Sequence, residues 1–281
     1  MIPVMEIEGA SFSYGQKDIF KNLNLKVGKS QIFCLVGPNG CGKTTLLESI
    51  LGIQKLKAGN IYVEGKNILS ISHKNRAEKI AYIPQNIEKT FPYTVKDMVI
   101  MGRAHNIKLF QAPSKEDKLI AMDAMKRMGI LNLAEKPFTQ ISGGEKRLVM
   151  IARALTQESK ILVMDEPTAH LDFKNELMLL EIIVDIIKKE GITVIMATHF
   201  PNHAYYFENN GVKTKLALMK DGGFAKVGTP TELLNEKNIM RIYSINSQIT
   251  TCKIDKETFI KQIIPISIIK EGLENSGGDI N

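Results

Sequence analysis

Apolar and polar residues alternate along the start of the chain. The segments "SFSYG" and "NLNLKVG" place apolar residues at every second position, which is the period of a half-buried strand. Gly15 and Gly28 close these two segments and are typical of turns. We therefore expect antiparallel strands over residues 1–30.

A different pattern follows, in which short apolar runs are separated by helical segments. "QIFCLV" leads through a glycine-rich turn into the helix-like "TTLLESIL", which Gly52 closes. "KILVMD" and "ITVIMAT" are further apolar runs, and the helix-like "NELMLLEIIVDIIKKEG" lies between them. This order favours right-handed βαβ crossovers in a parallel sheet, and so an α/β fold.

Helical signals replace strand signals between about residues 86 and 157. "SKEDKLIAMDAMKRMG" begins with Ser114 as an N-cap, has Asp117 three residues later and ends at Gly129. The pattern predicts a helical insertion in the α/β core.

The last part of the chain predicts a short helix and a hairpin. In "GTPTELL", Thr229 is an N-cap, Pro230 takes the first helical position and Glu232 completes a capping box. "QITTCKIDKETFIKQIIPI" is typical of a terminal hairpin, and the polar end "NSGGDIN" is expected to fray.

Composition narrows the class of protein. The chain has 281 residues, 44% of them hydrophobic, and its apolar runs are shorter than the roughly 20 residues of a membrane-spanning helix. Its start lacks the pattern of a secretory signal, so we expect a cytoplasmic protein. The three cysteines, Cys34, Cys41 and Cys252, have no metal-ligand spacing and are expected to be free thiols.

The net charge of +7 allows nucleic acid or an anionic membrane surface as a partner. The lysines are scattered, however, and no aromatic residues are interleaved with them at regular spacing. We interpret the charge as a solvated basic surface and expect no nucleic-acid partner.

The glycine-rich turn carries the first chemical motif. Gly37, Gly42, Lys43 and Thr44 match the pattern G-x-x-x-x-G-K-[ST], with a predicted strand before it and a predicted helix after it. Backbone N–H groups in such a loop cradle the β- and γ-phosphates of a nucleotide. Lys43 would add a point charge, and Thr44 would give its hydroxyl to Mg²⁺.

Two apolar runs end in residues that suit the same chemistry. Asp165 ends "KILVMD", predicted to lie beside the strand of the glycine-rich turn, where it could reach the metal. Glu166 is then a candidate general base for the attacking water. His199 follows "ITVIMAT" and could contact the γ-phosphate from the same edge.

Together with "YIPQ" and "ISGGEKR", these motifs resemble the nucleotide-binding subunit of ATP-binding-cassette (ABC) transporters over nearly the whole chain. The resemblance implies an ATP hydrolase with a P-loop NTPase core of mixed sheet, an antiparallel N-terminal β subdomain and a helical insertion. It also implies the cofactors ATP and Mg²⁺. The implied nucleotide-binding residues are Tyr14, which would stack on adenine, and the loop residues Gly37, Pro38, Asn39, Gly40, Cys41, Gly42, Lys43, Thr44 and Thr45.

The resemblance assigns the remaining motifs as well. Gln85 would sense Mg²⁺ and water, so that Thr44, Gln85 and Asp165 surround the metal. Glu166, His199 and Gln85 would be catalytic. The D-loop would comprise Leu171 and Asp172, and the signature would comprise Ser142, Gly143, Gly144 and Glu145.

The signature raises a question of stoichiometry. Its residues precede the helix "EKRLVMIARAL", so their N–H groups form a second anion site, although one nucleotide has only one γ-phosphate. The second site would serve the ATP of another subunit. The resemblance implies the same arrangement, a head-to-tail homodimer in the ATP-bound state.

"YTVKDMVIMGRAHN", "ATHFPNHAYYF" and the terminal hairpin resemble the subgroup of ABC importers for iron siderophores, haem, cobalamin and other metal chelates. This implies an integral membrane permease dimer as partner, a separate extracytoplasmic binding protein, and a peripheral location on the cytoplasmic face of the membrane. It implies a nucleotide-binding domain over residues 1–245, with the helical subdomain at about 86–157. A C-terminal hairpin and polar tail follow over 246–281.

Other functions remain open from the sequence. An importer of molybdate, tungstate or another oxyanion would use the same motifs. A non-transport ABC ATPase acting on DNA or the ribosome would usually add long coiled coils or a second cassette. A plain P-loop ATPase would not need a signature helix.

Overall fold

The computed structural model describes residues 3–86, 92–107, 111–169, 171–254 and 259–269. The tail "NSGGDIN" lies outside the described residues. The strands are β1 (Met5–Tyr14), β2 (Lys17–Val27), β3 (Ile32–Val36), β4 (Ala58–Val63), β5 (Lys66–Asn67), β6 (Ile80–Ile83), β7 (Ile161–Asp165), β8 (Thr193–Thr198), β9 (Thr214–Lys220), β10 (Gly223–Gly228), β11 (Ile245–Lys253) and β12 (Phe259–Ile268).

Helices connect and cover these strands. They are α1 (Lys43–Ile50), α2 (His73–Ala77), α3 (Val95–Ile100), α4 (Lys115–Arg127), α5 (Gly143–Leu155), α6 (Phe173–Glu190), α7 (Asn202–Asn209), α8 (Pro230–Leu233) and α9 (Glu236–Tyr243). In the described part of the chain, none combines the length and the apolar character needed to cross a bilayer.

The central sheet is mixed, as expected. Within the described residues it has six strands in the order β10-β9-β3-β8-β7-β6. All neighbours pair in parallel except β10, which is antiparallel to β9. Strands β3, β7 and β8 are buried along their whole length, which explains their uninterrupted apolar sequences.

One predicted neighbour relation is wrong. The strand that ends at Asp165, β7, does not lie beside β3, because β8 pairs with both and separates them. A crossover helix long enough to span a sheet can skip a position, and apolar runs do not encode which strand is next to which. The carboxyl ends of all three strands still meet at one edge of the sheet.

The N-terminal strands form the expected antiparallel sheet. Strands β1 and β2 pair as predicted, and β4 and β5, which the sequence did not reveal, extend the sheet to the order β2-β1-β4-β5. Alternate residues of β3 belong to two cores. Phe33 and Leu35 pack with the N-terminal sheet, whereas Ile32, Cys34 and Val36 pack with the helices on the other face.

Residues 92–107 and 111–157 contain helices and one isolated β-bridge, between Thr94 and Pro137. The predicted capping box at the start of α4 is present, with Ser114 and Asp117 hydrogen-bonded to each other's backbone N–H. Helices α3, α4 and α5 pack on one another, and Phe138 is buried in the same core.

The C-terminal predictions are also confirmed. Thr229 and Glu232 form a capping box with Pro230 at the start of α8, and β11 and β12 form an antiparallel hairpin. The three cysteines are free thiols. The hairpin is held to α7 by the Asn202 side chain, which accepts from the Ile263 N–H at 2.8 Å and donates to the Ile263 carbonyl at 3.1 Å.

Asn202→Ala should release the hairpin from α7, because both backbone groups of Ile263 lose their partner on the helix. We expect hydrogen exchange at the Ile263 amide to accelerate by about tenfold or more, with little change in β3 or β8. Asn246→Ala, which removes an exposed hydrogen bond to Ser267 in the same hairpin, is the control. Equal acceleration in both variants would contradict the anchoring role of Asn202.

Candidate functional site

The glycine-rich turn connects β3 to α1, as predicted. A Cβ atom on Gly37 would lie 2.3 Å from the Met219 carbonyl oxygen, so only glycine lets the chain pass this close to β9. Gly42 has φ +101, which lies in the left-handed region that favours glycine. Among the described residues no side chain caps the start of α1, so its first N–H groups are free to bind an anion.

Lys43 is folded back over this turn. Its Nζ donates to the carbonyl oxygens of Gly37 at 2.8 Å and Pro38 at 3.0 Å, and lies 3.5 Å from Oε1 of Glu166. The ammonium is therefore buried between the loop carbonyl oxygens and the Glu166 carboxylate. This arrangement suits binding of a phosphate group.

Asp165 has the properties of a cation ligand. It is 1% exposed, and its Oδ1 has no hydrogen-bond partner among the described residues. Burial raises the pKa of this carboxyl, while a hydrogen bond from the Thr44 side chain opposes the shift. A buried carboxylate oxygen without a partner, beside a threonine hydroxyl, fits a hard divalent cation.

Glu166 is the centre of the polar cluster. Gln85 Nε2 donates to its Oε2 at 3.1 Å, and His199 Nδ1 lies 3.1 Å from the same oxygen. The Glu166 backbone has φ +42, a conformation that non-glycine residues rarely adopt. Backbone strain of this kind is concentrated at functional sites.

His199 follows β8, and a residue from far along the chain holds it in place. The Tyr243 hydroxyl, at the end of α9, donates to the His199 carbonyl at 3.2 Å. Burial raises the pKa of Tyr243, so its hydroxyl remains a hydrogen-bond donor. Tyr243 could not be singled out from the sequence, because an aromatic residue near the end of a helix is usually part of the core.

The second glycine-rich turn is built differently from the first. Ser142 caps α5 in a capping box with Glu145: the Ser142 N–H donates to Glu145 Oε2 at 2.7 Å, and the Glu145 N–H donates to Ser142 Oγ at 3.3 Å. A Cβ atom on Gly144 would come within 3.0 Å of Asn175 in the first turn of α6. The turn therefore packs closely against α6.

The remaining candidate residues are near α6 and at the N-terminal sheet. Asp172 caps α6 and accepts from the backbone and side chain of Asn175 at 2.8 and 2.9 Å, and Leu171 packs partly buried against the core. Tyr14 is 51% exposed and stands edge-on to Phe12, so its ring has room for a planar ligand.

The structure thus divides the predicted residues into two groups. Lys43, Gln85, Glu166 and His199 meet in one cluster, next to Thr44 and Asp165. The signature and Asp172 lie together at α6. Within the described ranges no hydrogen bond joins residues 142–145 to residues 37–45.

A family model described as ABC transporter matches residues 20–169. The chain belongs to the ABC transporter family. Two relatives and one solved structure are similar to it over most of their length. The first relative is the iron(3+)-hydroxamate import ATP-binding protein FhuC of Bacillus subtilis, which is 33% identical over 88% of this chain and 90% of the relative. The second is the molybdate import ATP-binding protein MolC of Haemophilus influenzae, which is 31% identical over 95% of this chain and 98% of the relative. The solved structure is a metal-chelate type ABC transporter in an inward-facing conformation, which is 31% identical, has a TM-score of 0.82 and covers 95% of this chain and 98% of its own.

This ABC ATPase binds and hydrolyses ATP, and the cluster around Glu166 is its candidate catalytic site. Besides Tyr243, the sequence did not reveal one further residue that supports this cluster. Arg147, in the first half of α5, donates to the carbonyl oxygens of Pro84 at 2.8 Å and Gln85 at 3.1 Å. It thereby joins the signature helix to the loop that carries Gln85.

Arg147 could have been found from its position. It lies on the same helical face as Ile151 and Ala154, four and seven residues later, and these are buried. A charge in an apolar stripe needs a specific partner. Burial lowers the pKa of the guanidinium, and nearby Asp165 partly offsets this effect.

Arg147→Met should keep the bulk of the side chain and leave both carbonyl groups without their donor. We expect kcat for ATP hydrolysis to fall by about tenfold, because Gln85 is no longer fixed against Glu166. ATP affinity should change little, since Lys43 and its loop are untouched. Steady-state kinetics and equilibrium binding of ATP measure the two effects.

Arg127→Met is the matched control for this substitution. Arg127 pairs with Glu190 at the surface of the helical region, so its loss should leave kcat unchanged. An unchanged kcat in Arg147→Met, or a fall of the same size in both variants, would contradict the role of Arg147.

Proposed function

We propose that this ABC ATPase drives the import of a metal chelate through a separate membrane permease. It would act as a peripheral subunit on the cytoplasmic face of the membrane. The observation that carries the proposal is the convergence of Lys43, Gln85, Glu166 and His199 on one sheet edge, in a chain similar to FhuC and to a metal-chelate type transporter.

The site residues then take the following roles. The loop from Gly37 to Thr45 holds the phosphates, with Lys43 as its point charge, and Tyr14 stacks on adenine. Thr44, Gln85 and Asp165 would hold Mg²⁺, and the unpartnered Oδ1 of Asp165 supports this assignment. The ion would supply charge neutralisation.

Glu166 is the general base that orients the attacking water, and Gln85 fixes its carboxylate. His199 contacts the γ-phosphate, because its ring stands beside Glu166 at the same strand edge. Lys43 places an opposite charge 3.5 Å from Oε1 of this base.

The signature serves the nucleotide of a second subunit. The capping box uses the Ser142 hydroxyl and the Glu145 carboxylate within the helix, which leaves the N–H groups of Gly143 and Gly144 for an anion. Leu171 and Asp172 lie beside this surface. Two subunits would therefore meet head to tail, each closing the site of the other.

The permease docks in the cleft between the sheet core and the helical region. A cleft of about 670 Å³ lies there, lined by α2, the end of β6 and α5, with Pro84 on its wall. Arg147 of α5 is hydrogen-bonded to Pro84 and Gln85, so a displacement of the cleft wall would also displace Gln85 in the catalytic site. Residues 1–245 would form the nucleotide-binding domain, with 86–157 as its helical subdomain and 246–281 as an appended hairpin and tail.

In the transport cycle, ATP would act as a clamp. Two nucleotides draw the two subunits together, and hydrolysis removes the phosphate charge that both subunits hold. The chelate would be delivered to the permease by an extracytoplasmic binding protein and would never contact this chain.

The shared site predicts complementation between two inactive variants. Ser142→Arg blocks the signature but leaves its own phosphate loop intact, and Lys43→Ala does the reverse. Each alone should lack ATPase activity, whereas an equal mixture should regain up to about a quarter of the wild-type rate, because half of the dimers then hold one complete site. The steady-state rate is measured at increasing protein concentration.

A mixture of Ser142→Arg with the double variant Ser142→Arg/Lys43→Ala contains no complete site and is the control. Recovery in this mixture, or none in the first, would refute closure by a second subunit. Ser142→Arg alone should still bind ATP with wild-type affinity.

The cargo is tested in cells that lack this chain. Uptake of radiolabelled ferric hydroxamate, haem and cobalamin is compared with uptake of molybdate. We expect loss of uptake of one metal chelate, restored by the wild-type chain and not by Lys43→Ala. Loss of molybdate uptake alone would establish the oxyanion alternative that similarity to MolC favours.

A further inference from the structure

His203 is a buried histidine outside the proposed catalytic cluster. It is 4% exposed, and both ring nitrogens have partners: Nε2 lies 2.7 Å from Oε1 of Glu176, and Nδ1 lies 3.0 Å from the Thr198 hydroxyl. The Thr198 hydroxyl also accepts from the Phe200 N–H at 3.0 Å. These contacts therefore span His199, which is the residue between Thr198 and Phe200.

The donors and acceptors in this chain of contacts can be assigned. The hydrogen bond from His203 holds the pKa of Glu176 below its ordinary value, so the carboxylate is ionised and only accepts. Nε2 therefore carries a hydrogen. In the neutral ring Nδ1 then accepts from the Thr198 hydroxyl, whose oxygen accepts from Phe200, and every member of the relay is satisfied.

The other end of the relay lies in the first turn of α6. Glu176 follows Asn175, which is bound by Asp172 and packs against Gly144 of the signature turn. The signature turn, the start of α6 and the turn that carries His199 are thus connected by direct contacts. A displacement of α6 at its first turn would move Glu176, and with it His203.

Simple packing does not account for this histidine. The neighbouring residues Ala204, Tyr205 and Phe207 of α7 are buried without such a relay, and an apolar side chain at position 203 would avoid the cost of burying two polar atoms. The polar contacts instead fix the backbone on both sides of His199, which sits beside Glu166.

We propose that the relay Glu176–His203–Thr198 positions His199 and couples it to the signature turn, residues 142–145, of the same subunit. When the signature turn closes on the partner's nucleotide, the relay would align His199 with the nucleotide bound by the phosphate loop of the same subunit as His199. His203 is a positioning residue, since it acts through His199. The proposal rests on the role proposed above for His199.

Three substitutions of His203 test the relay. His203→Phe removes both hydrogen bonds of the ring. His203→Asn keeps an amide near the Nδ1 position, towards Thr198, and His203→Gln keeps an amide near the Nε2 position, towards Glu176. We expect kcat to fall by about tenfold in His203→Phe and less in the other two. KM for ATP should stay within about twofold, because the phosphate loop is untouched.

Tyr205→Phe is the matched control for stability. It removes a buried hydrogen bond from the same helix, to the Leu234 carbonyl, and does not touch Thr198. We expect it to lower Tm without lowering kcat. A wild-type kcat in His203→Phe, or equal losses of kcat in His203→Phe and Tyr205→Phe at equal Tm, would overturn the proposal.

His199→Ala tests whether His203 acts through His199, separately from the proposed role of His199 at the γ-phosphate. It should lower kcat by about a hundredfold and leave a measurable residual rate, and His199→Ala/His203→Phe should show no further loss. A further tenfold loss in the double variant would overturn action through His199 while leaving the proposed function in place. Full activity of His199→Ala would overturn the role of His199 and the relay together.

The coupling of His199 to the signature turn is measured separately. Imidazole resonances of the ATP-bound protein are recorded by NMR for Asn175→Ala in the wild-type and His203→Phe backgrounds. We expect the substitution to shift the His199 resonance only where His203 is present. An equal shift in both backgrounds, or none in either, would overturn the coupling.

Discussion

Parallel pairing of buried strands is the constraint on which the rest of the structure depends. Because β3, β8 and β7 run in the same direction, the turns that follow them meet at one edge, although more than a hundred residues separate the first from the last. Asp165 ends β7, and Lys43 and His199 follow the ends of the other two strands. The cluster is thus a consequence of topology.

Charge balance at that edge explains why the cluster holds together. Glu166 is almost fully buried, and a buried carboxylate is costly unless it is paired and hydrogen-bonded. Lys43 supplies the opposite charge and Gln85 the hydrogen bond. Each partner in turn is held by a second contact, Lys43 by loop carbonyl groups and Gln85 through Arg147. The catalytic geometry is therefore determined over two layers of contacts.

The sequence predicts those features that depend on local chemistry. The strand, turn and helix around Lys43 follow from glycine positions and apolar runs, and the caps at Ser114 and Thr229 follow from spacing of three residues. Strand order does not follow from such signals, which is why β8 was not placed between β3 and β7. Arg147 and Tyr243 bind backbone groups 63 and 44 residues away, and His203 contacts Glu176 27 residues away. Even where a local pattern singles out such a residue, it does not say which distant group is its partner.

The capping box at Ser142 has a consequence for how nucleotides are discriminated. Hydrogen bonding to the Ser142 backbone holds the pKa of Glu145 low, so a fixed negative charge stands at the start of α5. This charge offsets part of the attraction of the helix N-terminus for an anion, and the offset is smaller for a triphosphate already neutralised by a lysine and a metal. Under the proposed arrangement, the signature would favour nucleotide already bound by the neighbouring subunit over free nucleotide.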